Sequence, residues 1–374
     1  MERYEILVIN LGSSSTKVAY YINDTCMVKA NLAHPSEELK QYDSIWKQAD
    51  MRMDAIEKFL DENGIDKGKL AAVVSRGGHT RPLTGGTYLI NQVMLEESAS
   101  EVYGNHACDL GLVLASRLAR NGASPMTANT PVTDEFEPLA RYSGLPEIER
   151  RSSFHALNHK GAARHYAKET GRDYGSLNLI VVHMGGGISV AAHKRGKMVD
   201  ANNGLAGDGP FSTNRSGGLP VGSLISECFS GKYTQKQMMR RVNGEGGMLA
   251  YVGESDTLTV ERRAESGDES CAMVLDAMAY QVSKEIGACA AVLAGQVDAV
   301  ILTGGMAHSE RLTGFIEERV GFIAPIVRYP GEYEMQSLAE NAYEVLCKKQ
   351  PLLIMEQGGR TCLTVLRILR VQYA

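Results

Sequence analysis

The chain lacks the features that mark membrane and secreted proteins. No apolar run in the sequence approaches the roughly 20 residues that a membrane-spanning helix needs. The N-terminus, Met1-Glu2-Arg3-Tyr4-Glu5, does not have the charged-then-apolar layout of a signal peptide. The seven cysteines are scattered and include no Cys-x-x-Cys pair, a pattern typical of reduced thiols rather than of disulfides or a zinc site. We therefore predict a cytoplasmic protein with no membrane partner.

An excess of positive charge is also missing. Lys and Arg total 39 against 44 Asp and Glu, so the net charge is -5 and favours neither nucleic acid nor an anionic surface as partner. The chain has 374 residues, enough for two domains, and a charged content of 22% is typical of a globular protein. Any attraction for an anionic substrate must therefore come from a local group of basic residues.

Two glycine-bearing turns in distant parts of the chain share one pattern. The first, Asn10-Leu11-Gly12-Ser13-Ser14-Ser15-Thr16-Lys17, separates the apolar runs 6–9 and 18–22. The second, His183-Met184-Gly185-Gly186-Gly187-Ile188-Ser189, is flanked by apolar residues in the same way. Each pattern predicts a strand, a tight turn and a second strand. The repetition predicts a duplicated domain with a nucleotide held between the halves.

Turns of this composition suit anions. Glycine lets the backbone N–H groups approach a ligand closely, and Lys17 adds a positive charge. The Walker spacing and the dinucleotide fingerprint are both absent, and the first turn leads into a strand where those motifs lead into a helix. One such turn alone is also compatible with a plain tight hairpin; the repetition favours phosphate binding. Gly304-Gly305 follows another apolar strand and suits the sugar or base of a nucleotide.

Strand-like runs alternate with helical patterns, which predicts a mixed α/β fold. The turn at Ser143–Glu147 places a boundary near Arg150, so we predict an N-terminal domain over 1–150 and a C-terminal domain over 151–333.

Two further segments follow these domains. A helix at about 334–348 is predicted to return to the first domain, and the tail 351–374 has no predicted place.

Near the N-terminus, apolar residues spaced from Leu39 to Leu60 predict one helix that begins at Ser36 and ends at Asn63-Gly64.

The order of these motifs resembles that of the acetokinase family, the acetate and butyrate kinases. The resemblance extends from about residue 5 to residue 348 and implies the family's duplicated actin-like, sugar-kinase-like (ribonuclease H-like) core, with ATP in an interdomain cleft. The motifs common to the family are 10–17, Arg76-Gly77-Gly78, 183–189 and Arg215-Ser216-Gly217-Gly218. The stretches similar to the butyrate kinase branch in particular are 143–150, 154–158 and 209–212.

The resemblance also implies site residues. Those matching the two phosphate loops and the nucleotide-binding glycines are Asn10, Gly12, Ser13, Ser15, Lys17, His183, Gly185, Gly186, Gly187, Gly304 and Gly305. Those matching the family's catalytic residues are Arg76, Asp134, His155 and Arg215. Those matching the substrate-binding residues are Arg76, Arg215 and His106. Asn10 and Glu334 match the positions associated with Mg²⁺.

Plainer explanations remain open for several of these residues. Arg76 and Arg215 also suit a solvated surface, and Asp134 suits a cap for the short turn before Pro138. His155 and His159 share one helix face, as two zinc ligands would, although the glutamate of His-Glu-x-x-His and a third ligand are missing.

The resemblance implies a reversible phosphoryl transfer from ATP to butyrate, or to a branched short-chain fatty acid, giving an acyl phosphate and ADP. Acetate or propionate remains the alternative acceptor. A sugar kinase and a non-catalytic ATP-switch protein are the other classes built on this core; a switch protein usually carries an added domain for which this chain leaves little length. A homodimer or larger homo-oligomer is also expected from the resemblance.

Overall fold

The computed structural model describes residues 2–205, 207–358 and 361–364, which belong to two compact units. The first unit contains the residues up to Thr133 and those from Tyr333 onward, and the second contains Asp134–Glu332. None of the described helices is both long and apolar enough to cross a membrane.

The strands, in chain order, are β1 Glu5–Leu11, β2 Ser15–Ile22, β3 Thr25–Ala33, β4 Leu70–Ser75, β5 Thr87–Leu89, β6 Ser124–Ala128, β7 Asn178–Met184, β8 Ile188–Lys194, β9 Lys197–Ala201, β10 Ala299–Gly304, β11 Ile326–Pro330, β12 Leu352–Met355 and β13 Thr361–Thr364. The α-helices are α1 Ser36–Leu39, α2 Ala49–Glu62, α3 Gln92–Ala99, α4 Leu110–Leu118, α5 Ala156–Glu169, α6 Val221–Cys228, α7 Gln235–Val242, α8 Gly247–Val252, α9 Thr257–Glu265, α10 Glu269–Val292, α11 Glu310–Val320 and α12 Glu334–Leu346. Short 3₁₀ helices span Ile45–Gln48, Lys67–Lys69, Ala107–Asp109, Ala119–Asn121, Pro138–Arg141, Tyr174–Ser176 and Gly305–His308.

The two units repeat one sheet order. In the first unit β3, β2 and β1 form an antiparallel meander, and β4 and then β6 continue the sheet as strands parallel to β1. In the second unit β9, β8 and β7 form the same meander, and β10 and β11 continue it in parallel. The duplicated actin-like core is therefore confirmed, and the two glycine turns are the β1–β2 and β7–β8 hairpins.

The central strands are buried on both faces, as expected where helices cover a sheet. Helices α4 and α12 pack on β1 and β4, while α5 and α10 pack on β7. The side chains of Ile6–Ile9 and Leu179–Val182 are completely buried. Helix α12 thus lies in the first unit although it follows the second along the chain.

The division between the units falls at Thr133 and Asp134, earlier than the predicted boundary near Arg150. The intervening segment packs on β9. The N–H of Glu137 donates to the carbonyl oxygen of Val199 at 2.9 Å, and the Arg150 side chain donates to the carbonyl oxygen of Ala201 at 3.0 Å. These bonds fasten the segment to the second unit, and the turn at 143–147 lies within it.

Part of the tail 351–374 extends the first sheet. Strand β12 pairs in parallel with β5, and β13 pairs with β12 in antiparallel fashion. Leu353 and Met355 are buried, which explains the apolar start of this segment. Most of the apolar and basic run at 363–371 lies outside the described residues.

The single helix predicted from Ser36 to Asn63 is wrong in its first half. Helix α1 ends at Leu39, and a 3₁₀ turn at Ile45–Gln48 leads into α2. Ser36 does not cap α1 with its side chain, because Pro35 occupies the cap position. The break directs the fourth residue of α2, Arg52, toward the β1–β2 hairpin.

Candidate functional site

The candidate site residues of the first unit lie where three parallel strands end. Strands β1, β4 and β6 run side by side, so the turn at Gly12–Ser15, Arg76 and Asn129 follow strand ends at one edge of the sheet. Such edges are where open α/β sheets bind ligands. Lys17 lies on β2 directly opposite Asn10 of β1. Asn129, which the sequence patterns did not indicate, adopts a positive φ of 44° there.

A buried carboxylate connects two predicted site residues. Glu334, the first residue of α12, is 5% exposed. Its Oε2 accepts a hydrogen bond from Asn10 Nδ2 at 2.6 Å, and its Oε1 lies 3.5 Å from Arg76 Nη2. One carboxylate oxygen thus contacts the Asn10 amide, and the other contacts the Arg76 guanidinium. The first unit therefore brings together Asn10, Arg76 and Glu334, three of the residues that the resemblance indicated.

The loop after Arg76 is fixed by a residue that the sequence analysis missed. Asp109 is completely buried, and its carboxylate accepts bonds from the backbone N–H groups of His79 and His106, both at 2.8 Å. A Cβ on Gly78 would lie 2.7 Å from Asp109 Oδ1. Glycine is therefore required at position 78, since any side chain would separate this loop from its carboxylate anchor.

His106 contacts the β1–β2 turn. Its Nδ1 accepts a bond from the backbone N–H of Cys108 at 3.2 Å, so its proton lies on Nε2, which is 3.3 Å from Ser13 Oγ. Burial lowers the pKa of His106, and the positive charge of Arg76 lowers it further. His106 is therefore neutral at pH 7 and donates to Ser13 in that form.

The candidate site residues of the second unit lie at the β7–β8 turn and at the start of α5. The ring of His155 stacks on that of His183 with centroids 4.0 Å apart. Asn158 Nδ2 lies 2.8 Å from His183 Nδ1, so the proton of His183 is placed on Nε2. The turn itself is closed by a bond from the N–H of Gly185 to the carbonyl oxygen of Gly187 at 3.1 Å. The second unit thus groups His155, His183 and the three glycines.

Ser189 links His155 to a fully buried histidine. Its Oγ lies 3.0 Å from His155 Nδ1 and 2.8 Å from His159 Nε2. The other ring nitrogen of His159 is buried without a hydrogen-bond partner among the described residues. In the core, a ring nitrogen that carries no proton costs less free energy when unpaired than an unpaired N–H group does. We therefore place the proton of His159 on Nε2, which donates to Ser189 Oγ. The Ser189 hydroxyl in turn donates to His155 Nδ1. This series of hydrogen bonds keeps the proton of His155 on Nε2. It also explains the His155–His159 spacing without a metal.

Arg215 packs directly on the second turn. Its Nη1 donates to the carbonyl oxygen of Gly204, and burial lowers its pKa. A Cβ on Gly187 would overlap the Arg215 guanidinium. Ser212 Oγ, from the same loop as Arg215, donates to the carbonyl oxygen of Gly186 at 2.7 Å. Arg215 and the β7–β8 turn therefore form one packed assembly, which the sequence motifs did not reveal.

Gly304 and Gly305, the two glycines predicted to face the nucleoside, differ in how closely other atoms pack against them. Gly304 ends β10 beside β7 with a φ of 89°, and a Cβ there would overlap the backbone of Met184. Gly305 begins a 3₁₀ turn, and a Cβ there would meet nothing within 4 Å. Packing therefore requires glycine at position 304, whereas the structure gives no steric reason for it at position 305.

Asp134 is held by an arginine of its own unit. Arg141 binds its carboxylate through two parallel bonds, each 2.8 Å long, and the N–H of Phe136 donates to Asp134 Oδ1 at 3.1 Å. Asp256 caps α9 by accepting a hydrogen bond from the N–H of Thr259. Both carboxylates therefore have local structural partners.

The fold of this chain is that of carboxylate kinases with solved structures. Acetate kinase from Porphyromonas gingivalis superposes with a TM-score of 0.75 at 18% identity, covering 91% of this chain and 99% of that one. A propionate kinase from Francisella tularensis superposes with a TM-score of 0.71 at 19% identity, covering 90% and 98%. A ROK family protein from Streptococcus pneumoniae gives a TM-score of 0.51, covering 92% and 99%, at 13% identity. At these identities the likeness establishes the fold alone.

Sequence relatives establish the family. Residues 145–314 match the model of the acetokinase family. Butyrate kinase 2 of Clostridium acetobutylicum is 48% identical over 345 residues, which is 92% of this chain and 97% of that relative. Butyrate kinase 1 of the same organism is 47% identical over 344 residues, with the same coverage. The chain belongs to the acetokinase family, and it is a phosphotransferase that uses ATP and a carboxyl group as acceptor.

The contact between Gly187 and Arg215 yields a first prediction. Gly187→Ala places a methyl group where the Arg215 guanidinium lies, so we expect kcat to fall at least about tenfold while the protein stays folded. Steady-state kinetics and circular dichroism measure both. Gly186→Ala, whose methyl would have no neighbour within 4 Å, is the steric comparison and should have the smaller effect. Equal losses in the two variants would contradict the proposed packing role.

The buried histidines of the second unit predict acid sensitivity. Burial lowers the pKa of His159 well below its ordinary value, and burial with the nearby Lys160 lowers that of His193 to about 3. The unfolded chain therefore binds protons first as the pH falls. The contribution of each neutral histidine to the free energy of unfolding is fully present above the unfolded pKa of about 6.5. It is lost as the pH falls toward 3, by up to about 1.4 kcal/mol per pH unit for each histidine.

Urea denaturation at pH 7, 6 and 5 tests this slope. We expect His193→Gln to reduce the loss of unfolding free energy on acidification, whereas His308→Gln, at an exposed position, should leave it unchanged. An unfolding free energy that is flat over this range in the unmodified protein would contradict the assignment.

Proposed function

We propose that the carboxylate acceptor is butyrate or a branched fatty acid of similar size, and that ATP acts together with Mg²⁺. The observation that carries this proposal is the 48% identity to a protein named butyrate kinase over nearly the whole of both chains. The structure supports the kinase chemistry by grouping Asn10, Arg76 and Glu334 in one unit and His155 and Arg215 near a glycine turn in the other.

The residues around Glu334 fit Mg²⁺. Their donor set is a buried carboxylate and the Asn10 amide oxygen, which are the hard oxygen ligands that Mg²⁺ prefers. Asn10 and Glu334 would hold the ion or its water ligands. When bound, Mg²⁺ neutralises the phosphate charge that develops during transfer.

The transfer itself needs no general base. An ordinary carboxylic acid has a pKa of roughly 4 to 5, so it is ionised at pH 7 and is already a nucleophile. A carboxylate oxygen attacks the γ-phosphorus of ATP, and the bond between that phosphorus and the bridging oxygen of ADP breaks. No proton moves in this step. The protein's task is to position the two anions and to balance their charge.

Three cationic or donor groups suit that task. Arg76, oriented by Glu334, and Arg215, packed on Gly187, would bind the carboxylate and the phosphoryl group. His155 would donate its Nε2–H to a phosphoryl oxygen, because Ser189 occupies its Nδ1. Asp134 is engaged by Arg141, so we assign it to holding this segment rather than to proton transfer; its family role stays a prediction.

Chain length distinguishes the acceptors only modestly. Each buried methylene contributes about 0.8 kcal/mol, so butyrate and acetate would differ by roughly tenfold to a few hundredfold. A cytoplasmic location and a homo-oligomeric state also stay predictions from the sequence and its resemblance.

A hydroxylamine trapping assay for acyl phosphate tests the proposed substrate. The purified enzyme with ATP and Mg²⁺ is given acetate, propionate, butyrate, isobutyrate or glucose in parallel. We expect the highest kcat/KM with butyrate or isobutyrate and no ATP consumption with glucose. A kcat/KM for acetate that equals or exceeds that for butyrate would replace butyrate by acetate as the acceptor.

The role of Glu334 yields a separate prediction. Glu334→Gln removes the negative charge but keeps the shape, so we expect the Mg²⁺ concentration for half-maximal activity to rise about tenfold, with activity partly restored by excess Mg²⁺. Glu340→Gln, on the same helix, is the matched control. A loss of kcat that is independent of Mg²⁺ would instead assign Glu334 to holding Arg76 alone.

A further inference from the structure

One buried guanidinium group donates hydrogen bonds to the backbone of the β1–β2 turn. Arg52 of α2 is completely buried. Its Nη1 donates to the carbonyl oxygens of Gly12 at 3.0 Å and Ser15 at 3.2 Å, and its Nη2 donates to that of Ser13 at 3.1 Å. Three of the four carbonyl groups in the turn Gly12–Ser15 therefore point toward one side chain.

The remaining carbonyl group, that of Ser14, is bonded by a residue that follows the end of β3. The N–H of His34 donates to the carbonyl oxygen of Ser14 at 2.8 Å. Thr16 Oγ1 accepts from Arg52 Nη1 at 3.1 Å and lies 2.9 Å from His34 Nε2, which connects the two anchors. All four carbonyl oxygens of the turn are thus bonded to the protein.

The planarity of the peptide bond determines where the N–H groups of this turn point. Within one peptide unit the C=O and N–H groups point in opposite directions. The N–H groups of Ser13 and Ser14 therefore point away from Arg52, and both residues are exposed. Within the described ranges neither N–H has a hydrogen-bond partner. Two adjacent outward N–H groups form the kind of backbone concavity that binds anions.

Among the described residues, the hydrogen-bond acceptors of the Arg52 guanidinium group are all neutral. Its other acceptor is the neutral amide oxygen of Gln48, at 3.1 Å from Nε and 3.0 Å from Nη2. No carboxylate of the described residues forms an ion pair with it. A buried cation is costly without a partner, and a position near the N-terminus of a helix adds unfavourable interaction with the helix dipole. A binding site for a negatively charged ligand would compensate both costs.

We propose that Arg52 is a positioning residue for the phosphates of the nucleotide: it turns the N–H groups of Ser13 and Ser14 outward, and the bound phosphate supplies its missing counter-charge. The inference deepens the proposed function, because it rests on this turn being an ATP-binding loop. Arg52 does not need to touch the ligand, since it acts through the backbone that it holds.

Kinetics of Arg52→Lys and Arg52→Met test the proposal. Lysine keeps the charge but cannot bind several carbonyl groups in the same plane, whereas methionine removes both functions. We expect the KM for ATP to rise about tenfold in the first variant and about a hundredfold in the second. The KM for the carboxylate should stay within about twofold. Arg117→Met, which removes an arginine that pairs with Asp50 of α2, is the matched control and should change neither constant.

Thermal denaturation separates this role from a purely structural one. Inorganic tripolyphosphate should raise the Tm of the unmodified protein and of the Arg117→Met variant, and should raise that of Arg52→Met by less than half as much. Unchanged KM values for ATP with an unchanged tripolyphosphate shift would overturn the proposal. Loss of folding in both Arg52 variants would assign the residue to the core and would overturn it as well.

The outcome is distinguishable from failure of the proposed function. If the unmodified enzyme forms no acyl phosphate from any acid, the proposed substrate fails while the tripolyphosphate shift still reports on the turn. If the enzyme is active but its Arg52 variants retain their KM for ATP, only the inference about Arg52 fails.

Discussion

A backbone turn binds an anion only when its own carbonyl oxygens are held away from the ligand. Carbonyl dipoles repel negative charge, and they are strong hydrogen-bond acceptors that must be satisfied when they are buried. In the first unit Arg52 and the N–H of His34 bond all four carbonyl groups of the Gly12–Ser15 turn. In the second unit Ser212 bonds that of Gly186, and Gly185 bonds that of Gly187. The two units thus bond the carbonyl groups of their turns with different side chains, Arg52 and Ser212, each assisted by a backbone N–H group.

This constraint explains why the glycines and the buried polar residues occur together. Gly187 is small because Arg215 lies against it, and Gly78 is small because Asp109 anchors the loop beside it. A site that must hold two anions needs fixed dipoles and charges, and fixed groups need polar support in the core. The buried Glu334, Asp109 and Arg52 are that support in the first unit.

The sequence predicted the parts of the fold that follow from strong local patterns. The apolar strands β1, β7 and β10 were found because they are buried on both faces. Strand β3 escaped notice because it is largely exposed, and β6 because it is short and contains a proline. The tail was not placed, because its position depends on pairing with β5, a partner more than 260 positions away in the chain.

The site was predicted to a similar degree and for similar reasons. Motif resemblance indicated Asn10, Arg76 and Glu334, whose contacts the structure then supplied. Arg52 lacked any signal, since a single arginine in an amphipathic helix looks like a surface residue until the turn folds over it. The bidentate pair of Asp134 with Arg141 was equally hidden, because two residues seven positions apart meet only through the 3₁₀ turn between them.

The central claim is that the N–H groups of Ser13 and Ser14 bind nucleotide phosphate. The most direct measurement is the amide ¹H–¹⁵N spectrum of labelled protein titrated with ADP and Mg²⁺. The account predicts that these two amide signals move downfield on saturation, as they do when a hydrogen bond to an anion forms, and that adenosine leaves them in place. Amide signals of Ser13 and Ser14 that stay unchanged while the nucleotide binds would contradict it.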